Sequence, residues 1–322
     1  PPTPRLTTQR RERRAHQMLL RPGSPLAAPL AVALCALALI VASSAIPSSA
    51  ASAAPPACVE GPLTTGQLTG KVAIITGSSR GVGAEIAKIY AREGANVVVN
   101  YFQSKEKAEA VVAEINAMGG GRAIAAYGDV TSKTDMFGLV SAAREAFGTV
   151  HVLVNNALAH YQFNPASKSA SITTVEWSDF DQQLKGTLAG AVNAVQACLP
   201  TFNAQGFGKV VNIGTNLVYN PVVTYYDYTA AKAALVGLTR NLAAELGPKG
   251  VRVNLVAGGL LEMTDASSLT TKEVFGYVAA ATPLRKTTTV QAFGEATVYF
   301  AADASNAVTG QSLSVDGGLT MP

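Results

Sequence analysis

Metal-ligating, disulfide-forming and charged residues are scarce in this chain of 322 residues. The cysteines are Cys35, Cys58 and Cys198, and none has a partner at metal-ligand spacing, so we expect neither a disulfide framework nor a metal site. Charged residues make up 14% of the chain, and the net charge of +4 equals that of residues 1–60 alone. Because the rest of the chain is neutral overall, no basic surface for nucleic acid is predicted.

The N-terminal segment also lacks a hydrophobic run long enough to span a membrane. Its most apolar part, residues 30–42, is shorter than the ~20 residues that a spanning helix needs. Arginines precede this run and small residues follow it, an order typical of a signal peptide; Arg10-Arg11 also fits twin-arginine export, and the arginine-rich start fits an organelle transit peptide. We predict a poorly ordered leader over 1–63, for organelle targeting or export, and one folded domain over 64–322.

From residue 70 onward, short apolar segments alternate with amphipathic ones. The apolar segments lie at 72–76, 96–101, 122–127, 150–154, 209–213, 251–256 and 312–315, and the amphipathic ones at 81–93, 105–118, 132–147, 175–199, 225–246 and 290–302. Strands that are apolar throughout, separated by helices, indicate a parallel sheet covered on both faces. The pattern predicts a single α/β domain with a doubly wound, Rossmann-type sheet, and the threonine-rich stretch at 260–283 predicts a lid.

A glycine-rich turn joins the first predicted strand to the first helix. It reads Thr76-Gly77-Ser78-Ser79-Arg80-Gly81-Val82-Gly83. Glycines let the backbone approach a pyrophosphate, and free N–H groups at the start of a helix attract anions. The turn therefore predicts a dinucleotide site formed by Gly77, Ser79, Arg80, Gly81, Val82 and Gly83.

The end of the second strand indicates which dinucleotide is expected. An acid about 20 residues beyond the turn would bind the ribose 2′-hydroxyl and select NAD. The segment here reads Asn100-Tyr101-Phe102-Gln103-Ser104-Lys105 and contains no acid. Arg80, with Lys105 as a second candidate, is expected to meet a 2′-phosphate instead. We therefore predict that NADP(H) is preferred over NAD(H), with Asn100, Tyr101 and Ser104 beside it.

The amphipathic segment at 225–246 carries the expected catalytic pair. Its apolar face is marked by Leu235, Leu238, Leu242 and Leu246. Residues four apart lie on one face of a helix, so Tyr228 and Lys232 are neighbours. A free phenol titrates near pKa ~10, and a nearby ammonium is expected to lower that pKa. Tyr101 also precedes a lysine, Lys105, by the same interval, so the spacing alone does not identify a site.

Five motifs in this order and spacing resemble those of the short-chain dehydrogenase/reductase family. They are residues 76–83, Asp129-Val130, Asn155-Asn156-Ala157, Tyr228 to Lys232, and Val315-Asp316-Gly317-Gly318. The likeness covers residues 68–322 and is strongest to 3-oxoacyl-[acyl-carrier-protein] reductases. It implies hydride transfer from NADPH to a ketone. The first candidate for this ketone is a 3-oxoacyl thioester of fatty acid biosynthesis. It also implies an acyl carrier protein as a possible partner and assembly as a homotetramer or homodimer.

The resemblance assigns roles to individual residues. Thr215 falls at a serine that binds the substrate carbonyl, Tyr228 would transfer the proton, and Lys232 would hold the nicotinamide ribose. Gln183 aligns with a helix asparagine that supports a relay water. Asp129 and Val130 would hold the adenine. The remaining positions expected along the cofactor are Asn155, Ala157, Gly259 and Leu261.

Several positions depart from the family pattern: Thr215, Gln183, Leu158 and Gly258. None removes a reacting group, which indicates a subgroup rather than an inactive protein. Two alternatives stay open: a reductase of a secondary-metabolite ketone or a sugar, and a non-catalytic NADP(H)-binding sensor. In the loop after the fourth strand, His160, Tyr161 and Phe163 fit substrate contact and ordinary loop packing equally well. An NADPH-containing soluble compartment suits the proposed chemistry.

Overall fold

Seven parallel strands form one sheet in the computed structural model, which describes residues 66–158, 161, 164, 166–262, 264 and 267–321. The strands are β1 Val72–Ile75, β2 Asn96–Tyr101, β3 Ala123–Tyr127, β4 Val152–Asn155, β5 Gly208–Thr215, β6 Val251–Gly258 and β7 Ser312–Val315. Their spatial order is β3-β2-β1-β4-β5-β6-β7, and every neighbouring pair is parallel. The predicted leader, His160 and Phe163 lie outside the described residues.

Helices cover both faces of this sheet. They are α1 Gly81–Arg92, α2 Lys105–Ala117, α3 Lys133–Phe147, α4 Trp177–Leu184, α5 Gly190–Gln205, α6 Tyr226–Leu246, α7 Lys272–Ala281 and α8 Val290–Ala301. Helices α1, α2 and α8 pack in one apolar core, and α3, α5 and α6 in another. Strand β2 shows why: Val97 and Val99 belong to the first core and Val98 to the second, because successive side chains of a strand point to opposite faces. The predicted doubly wound α/β fold is confirmed.

The helix predicted over 175–199 is interrupted. Helix α4 ends at Leu184, a π-helical turn occupies Lys185–Ala189, and α5 begins at Gly190. A π turn takes an extra residue into the helix and changes which side chains face the sheet. Here it brings Gly190 against Val130, where a Cβ would lie only 2.9 Å from Val130 Cγ2. The close approach across the loop after β3 was not visible in the local hydrophobic pattern.

The order of the strands fixes where a ligand can bind. The chain moves from β1 outward to β2 and β3, then returns to place β4 on the other side of β1. In open parallel sheets, ligands bind at such a reversal, outside the carboxyl ends of the strands. Within the described residues, no helix is long and apolar enough to cross a membrane, and no cluster of three or more His, Cys, Asp or Glu side chains suits a metal ion.

Candidate active site

A cavity of about 610 Å³ lies at the carboxyl edge of the sheet. Its wall contains every predicted site residue except Asn155, Gln183 and the second 2′-phosphate candidate, Lys105. Two ends can be distinguished by their lining. The glycine-turn end comprises Gly77 and residues 79–83, 100–104 and 128–131, and the apolar end comprises Leu158, Tyr161, Leu217, Tyr225 and Tyr228.

The glycine turn packs directly against the end of β4. Gly77 has a φ of +61°, and a Cβ there would lie 2.9 Å from the Ala157 Cα. At Gly83 a Cβ would lie 2.5 Å from the Asn156 Nδ2, which donates to the carbonyl oxygens of Thr76 and Gly77 at 2.9 and 3.0 Å. These positions therefore need glycine for the backbone conformation and for the close approach of the two loops.

Asn100 joins this turn to the next loops. Its side chain is buried at the end of β2, where Oδ1 accepts a hydrogen bond from the Gly77 N–H at 2.9 Å. Its Nδ2 donates to the Gly128 carbonyl at 3.0 Å, after β3. Asn100 was predicted to be a cofactor residue; it lines the cavity and also holds the surrounding loops together.

The charged groups at the glycine-turn end are few. Arg80 Nη1 donates to Ser104 Oγ at 3.3 Å, so the residue predicted to meet a 2′-phosphate contacts another predicted cofactor-binding residue. Lys105, the second candidate, pairs with Glu109 at 3.5 Å and is not part of the described wall. Asp129 is the single carboxylate among the described lining residues, and its Oδ1 accepts from the Thr131 N–H and hydroxyl at 2.9 and 2.8 Å.

This arrangement fits a dinucleotide. Helix α1 begins at Gly81 with no acidic residue in its first turn, and its N-cap residue, Arg80, makes no capping side-chain hydrogen bond. The N–H groups of that turn therefore face the cavity with the partial positive charge of a helix start. A pyrophosphate would meet these N–H groups at Gly81, where the position of a Cβ has no neighbouring atom within 4 Å.

Thr215, Tyr228 and Lys232 come together at the other side of the cavity. Thr215 ends β5, whereas Tyr228 and Lys232 lie on α6, and all three side chains are buried. The Tyr228 hydroxyl is hydrogen-bonded with the Thr215 side chain. Lys232 Nζ lies 5.9 Å from the centre of the Tyr228 ring and donates to the Ile213 carbonyl at 2.7 Å. The predicted grouping of hydroxyl, phenol and ammonium is present.

The expected effect of Lys232 on the Tyr228 pKa was wrong for this structure. Burial raises the pKa of Tyr228 to about 12, and the hydrogen bond with Thr215 only partly opposes this rise. Burial also lowers the pKa of Lys232 to about 8. The cause is that the ammonium bonds to Ile213 rather than to the phenol, while both side chains have lost water. Tyr228 is therefore a neutral proton donor at neutral pH.

Two predicted site residues lie behind the cavity wall. Gln183 is buried on α4, and its Oε1 has no hydrogen-bond partner among the described residues. Asn155 Nδ2 donates to Asn212 Oδ1 at 2.9 Å, and Asn212 Nδ2 donates to Thr239 Oγ1 at 2.8 Å. The amide of Asn155 thus joins β4 to β5 and α6, whereas its neighbours Asn156 and Ala157 line the cavity.

Asn216 and Asp316 form a contact that the sequence reasoning missed. Asn216 Nδ2 donates to Asp316 Oδ2 at 2.9 Å, between residues separated by 100 positions. This bond fixes the loop directly after Thr215 against the end of β7. Asp316 belongs to a motif noted in the sequence, but nothing local indicated its partner.

The departures at Leu158 and Gly258 have structural consequences. Leu158 lines the cavity and packs against the apolar cluster of Leu217, Tyr225 and Tyr228 rather than standing alone. Gly258 pairs with Thr215 across β5 and β6, and a Cβ there would lie 3.0 Å from Phe293 Cε2. Leu158 therefore adds an apolar side chain to the wall, and Gly258 leaves room for the Phe293 ring.

Comparisons with known proteins agree with this geometry. The family model described as enoyl-(acyl carrier protein) reductase matches residues 77–320. A 3-oxoacyl-[acyl-carrier-protein] reductase of Staphylococcus aureus is 34% identical over 255 residues, covering 78% of this chain and 98% of the relative.

Two solved structures share the fold. Gluconate 5-dehydrogenase from Burkholderia cenocepacia, in complex with NADP and tartrate, has a TM-score of 0.70 and 29% identity, covering 78% of this chain and 96% of its own. A 7α-hydroxysteroid dehydrogenase complexed with NADH and 7-oxo glycochenodeoxycholic acid has a TM-score of 0.71 and 33% identity, covering 78% and 94%. The two hold different dinucleotides, so the shared fold is compatible with either.

Proposed function

The chain belongs to the short-chain dehydrogenase/reductase family of NAD(P)-dependent oxidoreductases, and on that premise we propose that it reduces an apolar ketone with NADPH. The leading substrate class is a 3-oxoacyl thioester. The observation that carries the proposal is the meeting of Tyr228, Thr215 and Lys232 in one cavity with the glycine turn.

The side chains divide the chemistry between them. A bound nicotinamide cofactor supplies the hydride that the carbonyl carbon gains. Tyr228, held neutral by burial, donates its proton to the carbonyl oxygen, and the Thr215 hydroxyl donates a hydrogen bond that holds this oxygen. Lys232, whose ammonium is a hydrogen-bond donor, would hold the ribose hydroxyls.

The contacts of Arg80 support the choice of NADPH. Its guanidinium and the Ser104 hydroxyl lie together at the end of β2, where an acid would select NAD. A planar guanidinium is well suited to a phosphate because it offers several N–H donors in a fixed geometry. Asp129, the single carboxylate in the described wall, is already engaged with Thr131.

The apolar end supports a ketone with a hydrocarbon part over a sugar. Leucine and tyrosine side chains form it, and a sugar would leave its hydroxyls without partners there. Ser267 and Thr264 also line the cavity, but their hydroxyls lie 2.7 Å apart and bond to each other. Lys185, which also lines the cavity, is paired with Asp181 at 2.5 Å. The lining therefore favours an uncharged, apolar group near the carbonyl.

An acyl carrier protein and a second copy of the chain are the proposed macromolecular partners. The first follows from the resemblance to 3-oxoacyl-[acyl-carrier-protein] reductases, and the second from the homotetramer or homodimer that this resemblance implies. Trp177 and Phe180 stack on α4, and Trp177 is 72% exposed, which supports a contact through this helix. Light scattering of the purified chain, repeated with Trp177→Ala, tests the assembly.

The function is tested with the full chain by following NADPH oxidation with acetoacetyl-coenzyme A, methyl hexyl ketone and glucose, and by repeating each assay with NADH. We expect turnover of the first two with NADPH favoured. Turnover of methyl hexyl ketone alone would move the assignment to non-thioester ketones. Tight NADPH binding without any turnover would favour a sensor, and preference for glucose would contradict the apolar substrate class.

A further inference from the structure

Tyr161 makes a contact with the proton donor that the proposed mechanism does not use. Its ring stacks on the Tyr228 ring, with centroids 5.0 Å apart and an angle of 23° between the planes. It also meets Tyr225 edge to face, at 6.1 Å and 88°. Tyr161 and Tyr225 both line the cavity, so the stacked rings form part of its surface.

The hydroxyl of Tyr161 is anchored at the start of α6. It lies 3.5 Å from Asp227 Oδ1, a long hydrogen bond, and it also bonds with the Ser169 side chain. Asp227 is buried and accepts hydrogen bonds from its own backbone N–H, that of Tyr228 and the Ser169 hydroxyl. A carboxylate held by the first N–H groups of a helix is a fixed point, so the orientation of the Tyr161 ring is defined at both ends.

We propose that Tyr161 is a positioning and specificity-determining residue: its anchored ring holds the Tyr228 ring in place and forms the wall that admits slender apolar ketones and rejects ketones with a ring fused at the carbonyl. This inference rests on the proposed function, and it names the shape of the substrate. Stacked aromatic rings in an apolar setting attract one another beyond the effect of their buried area, which favours one orientation of Tyr228.

The position of Tyr161 explains why its removal is expected to change the turnover rate and the ketone preference together. The Tyr228 hydroxyl must reach the carbonyl oxygen that Thr215 also holds, and a displacement of ~1 Å can cost ~10²-fold in rate. The Tyr161 ring lines the cavity beside Tyr228, so removing the ring is expected to loosen the donor and to widen the pocket at once. It also admits water to the phenol, which burial now excludes. The polar and aromatic side chains described beside the Tyr228 ring include Thr215, Lys232, Tyr161 and Tyr225, and Asp227 accepts a hydrogen bond from the Tyr228 backbone N–H.

The test compares wild type, Tyr161→Ala and Tyr161→Phe on two ketones. One is methyl hexyl ketone, which is an open chain, and the other is α-tetralone, whose carbonyl carbon is part of a fused ring system. For Tyr161→Ala we expect kcat on methyl hexyl ketone to fall about tenfold. We expect the ratio of kcat/KM for α-tetralone to that for methyl hexyl ketone to rise at least about tenfold. Tyr161→Phe keeps the ring but loses the hydroxyl anchor, so it is expected to keep the wild-type preference and to lose less kcat than Tyr161→Ala.

A matched control and a binding readout separate position from folding. Tyr299→Ala removes an exposed tyrosine on α8, outside the cavity wall, and is expected to behave as wild type. The NADPH dissociation constant, read from NADPH fluorescence, is expected to stay the same in every variant. An unchanged ketone preference in Tyr161→Ala, or a loss of NADPH affinity equal to the loss of kcat, would overturn the proposal.

Two further measurements keep the outcome decisive. If Tyr161→Ala does not fold, Tyr161→Leu fills the site without a stacking ring and is expected to shift the preference in the same direction. If wild type turns over neither ketone, the dissociation constants of both ketones for the NADPH complex test the wall alone. The proposed function itself fails only if acetoacetyl-coenzyme A is not turned over either. If Tyr161→Ala or Tyr161→Leu leaves the ratio of those dissociation constants unchanged, the proposed role of Tyr161 is rejected.

Discussion

The two ends of the cavity are held together by different forces. At the glycine-turn end the contacts are mostly hydrogen bonds to the main chain, such as those from Asn100 to Gly77 and Gly128. At the apolar end they are side-chain contacts, such as the stack of Tyr161 on Tyr228. The first kind fixes a cradle for any dinucleotide, whereas the second shapes a pocket that can vary with the substrate.

The difference teaches where change is tolerated. Asn100 at the glycine-turn end bonds buried backbone groups, and the glycines allow the loops to approach closely, so substitutions there act on stability and cofactor binding together. The apolar end depends on shape, and apolar side chains of similar volume can replace one another at moderate energetic cost. We therefore expect variants at the two ends to separate binding of NADPH from turnover.

The largest expected effect is at the apolar end. Tyr228→Phe keeps the ring that stacks on Tyr161 but removes the proton donor, so turnover is expected to fall ~10²–10⁴-fold. NADPH affinity, measured by fluorescence, should remain near that of wild type. Tyr226→Phe on the same helix is the control. Near-normal turnover in Tyr228→Phe with NADPH bound would remove Tyr228 from the mechanism.

Asn100→Ala tests the glycine-turn end. The variant leaves the Gly77 N–H and the Gly128 carbonyl without their buried partner, so the free energy of unfolding should fall by about 2–4 kcal/mol. Urea unfolding measures the loss, and NADPH affinity should fall with it. Asn116→Ala removes an exposed amide that also makes two backbone bonds, at 2.8 and 3.2 Å, and should cost less. Equal losses would mean that burial of the Asn100 amide is not decisive.

Arg80→Ala is expected to change the KM for one of the two cofactors only. Losing a charged donor to phosphate is expected to raise the KM for NADPH about tenfold to a hundredfold and to leave the KM for NADH nearly unchanged. Arg122→Ala, outside the described wall, is the control. A parallel rise of both KM values would show that Arg80 acts on the fold of the turn instead of on the 2′-phosphate.

The smallest effect concerns the buried ammonium beside the apolar end. Burial lowers the pKa of Lys232 from 10.5 to about 8, so the folded chain binds fewer protons than the unfolded chain between these values. The free energy of unfolding should therefore rise with pH in that window, and Lys232→Met should reduce the slope by at most about 1.4 kcal/mol per pH unit. Lys209 has a similar shift, and Tyr228 opposes the trend only above its ordinary pKa of 10.

Urea unfolding at several pH values measures this slope. Lys249→Met, which removes an exposed lysine near Glu245, is the control and should leave the slope unchanged. If Lys232→Met also leaves the slope unchanged, burial does not lower the pKa of Lys232.

Most of the fold could be predicted because parallel strands and their helices carry a strong local hydrophobic pattern. The interruption at Lys185–Ala189 could not, since it depends on the approach of Gly190 to Val130. Likewise, Gln183 and Asn155 were predicted at the site from their motifs, yet their amides lie behind the wall. Spacing along a helix or strand states which residues are near one another, but the direction of an amide depends on its neighbours in space.

The sequence by itself determined the order of strands and helices, the glycine turn, and the shared face of Tyr228 and Lys232, because each is set by residues close together in the chain. Only the tertiary structure decided that Lys232 bonds to Ile213, that Asn216 meets Asp316, and that Tyr161 stacks on the proton donor. These contacts join segments far apart in the chain, and burial between them sets the pKa values on which the chemistry depends.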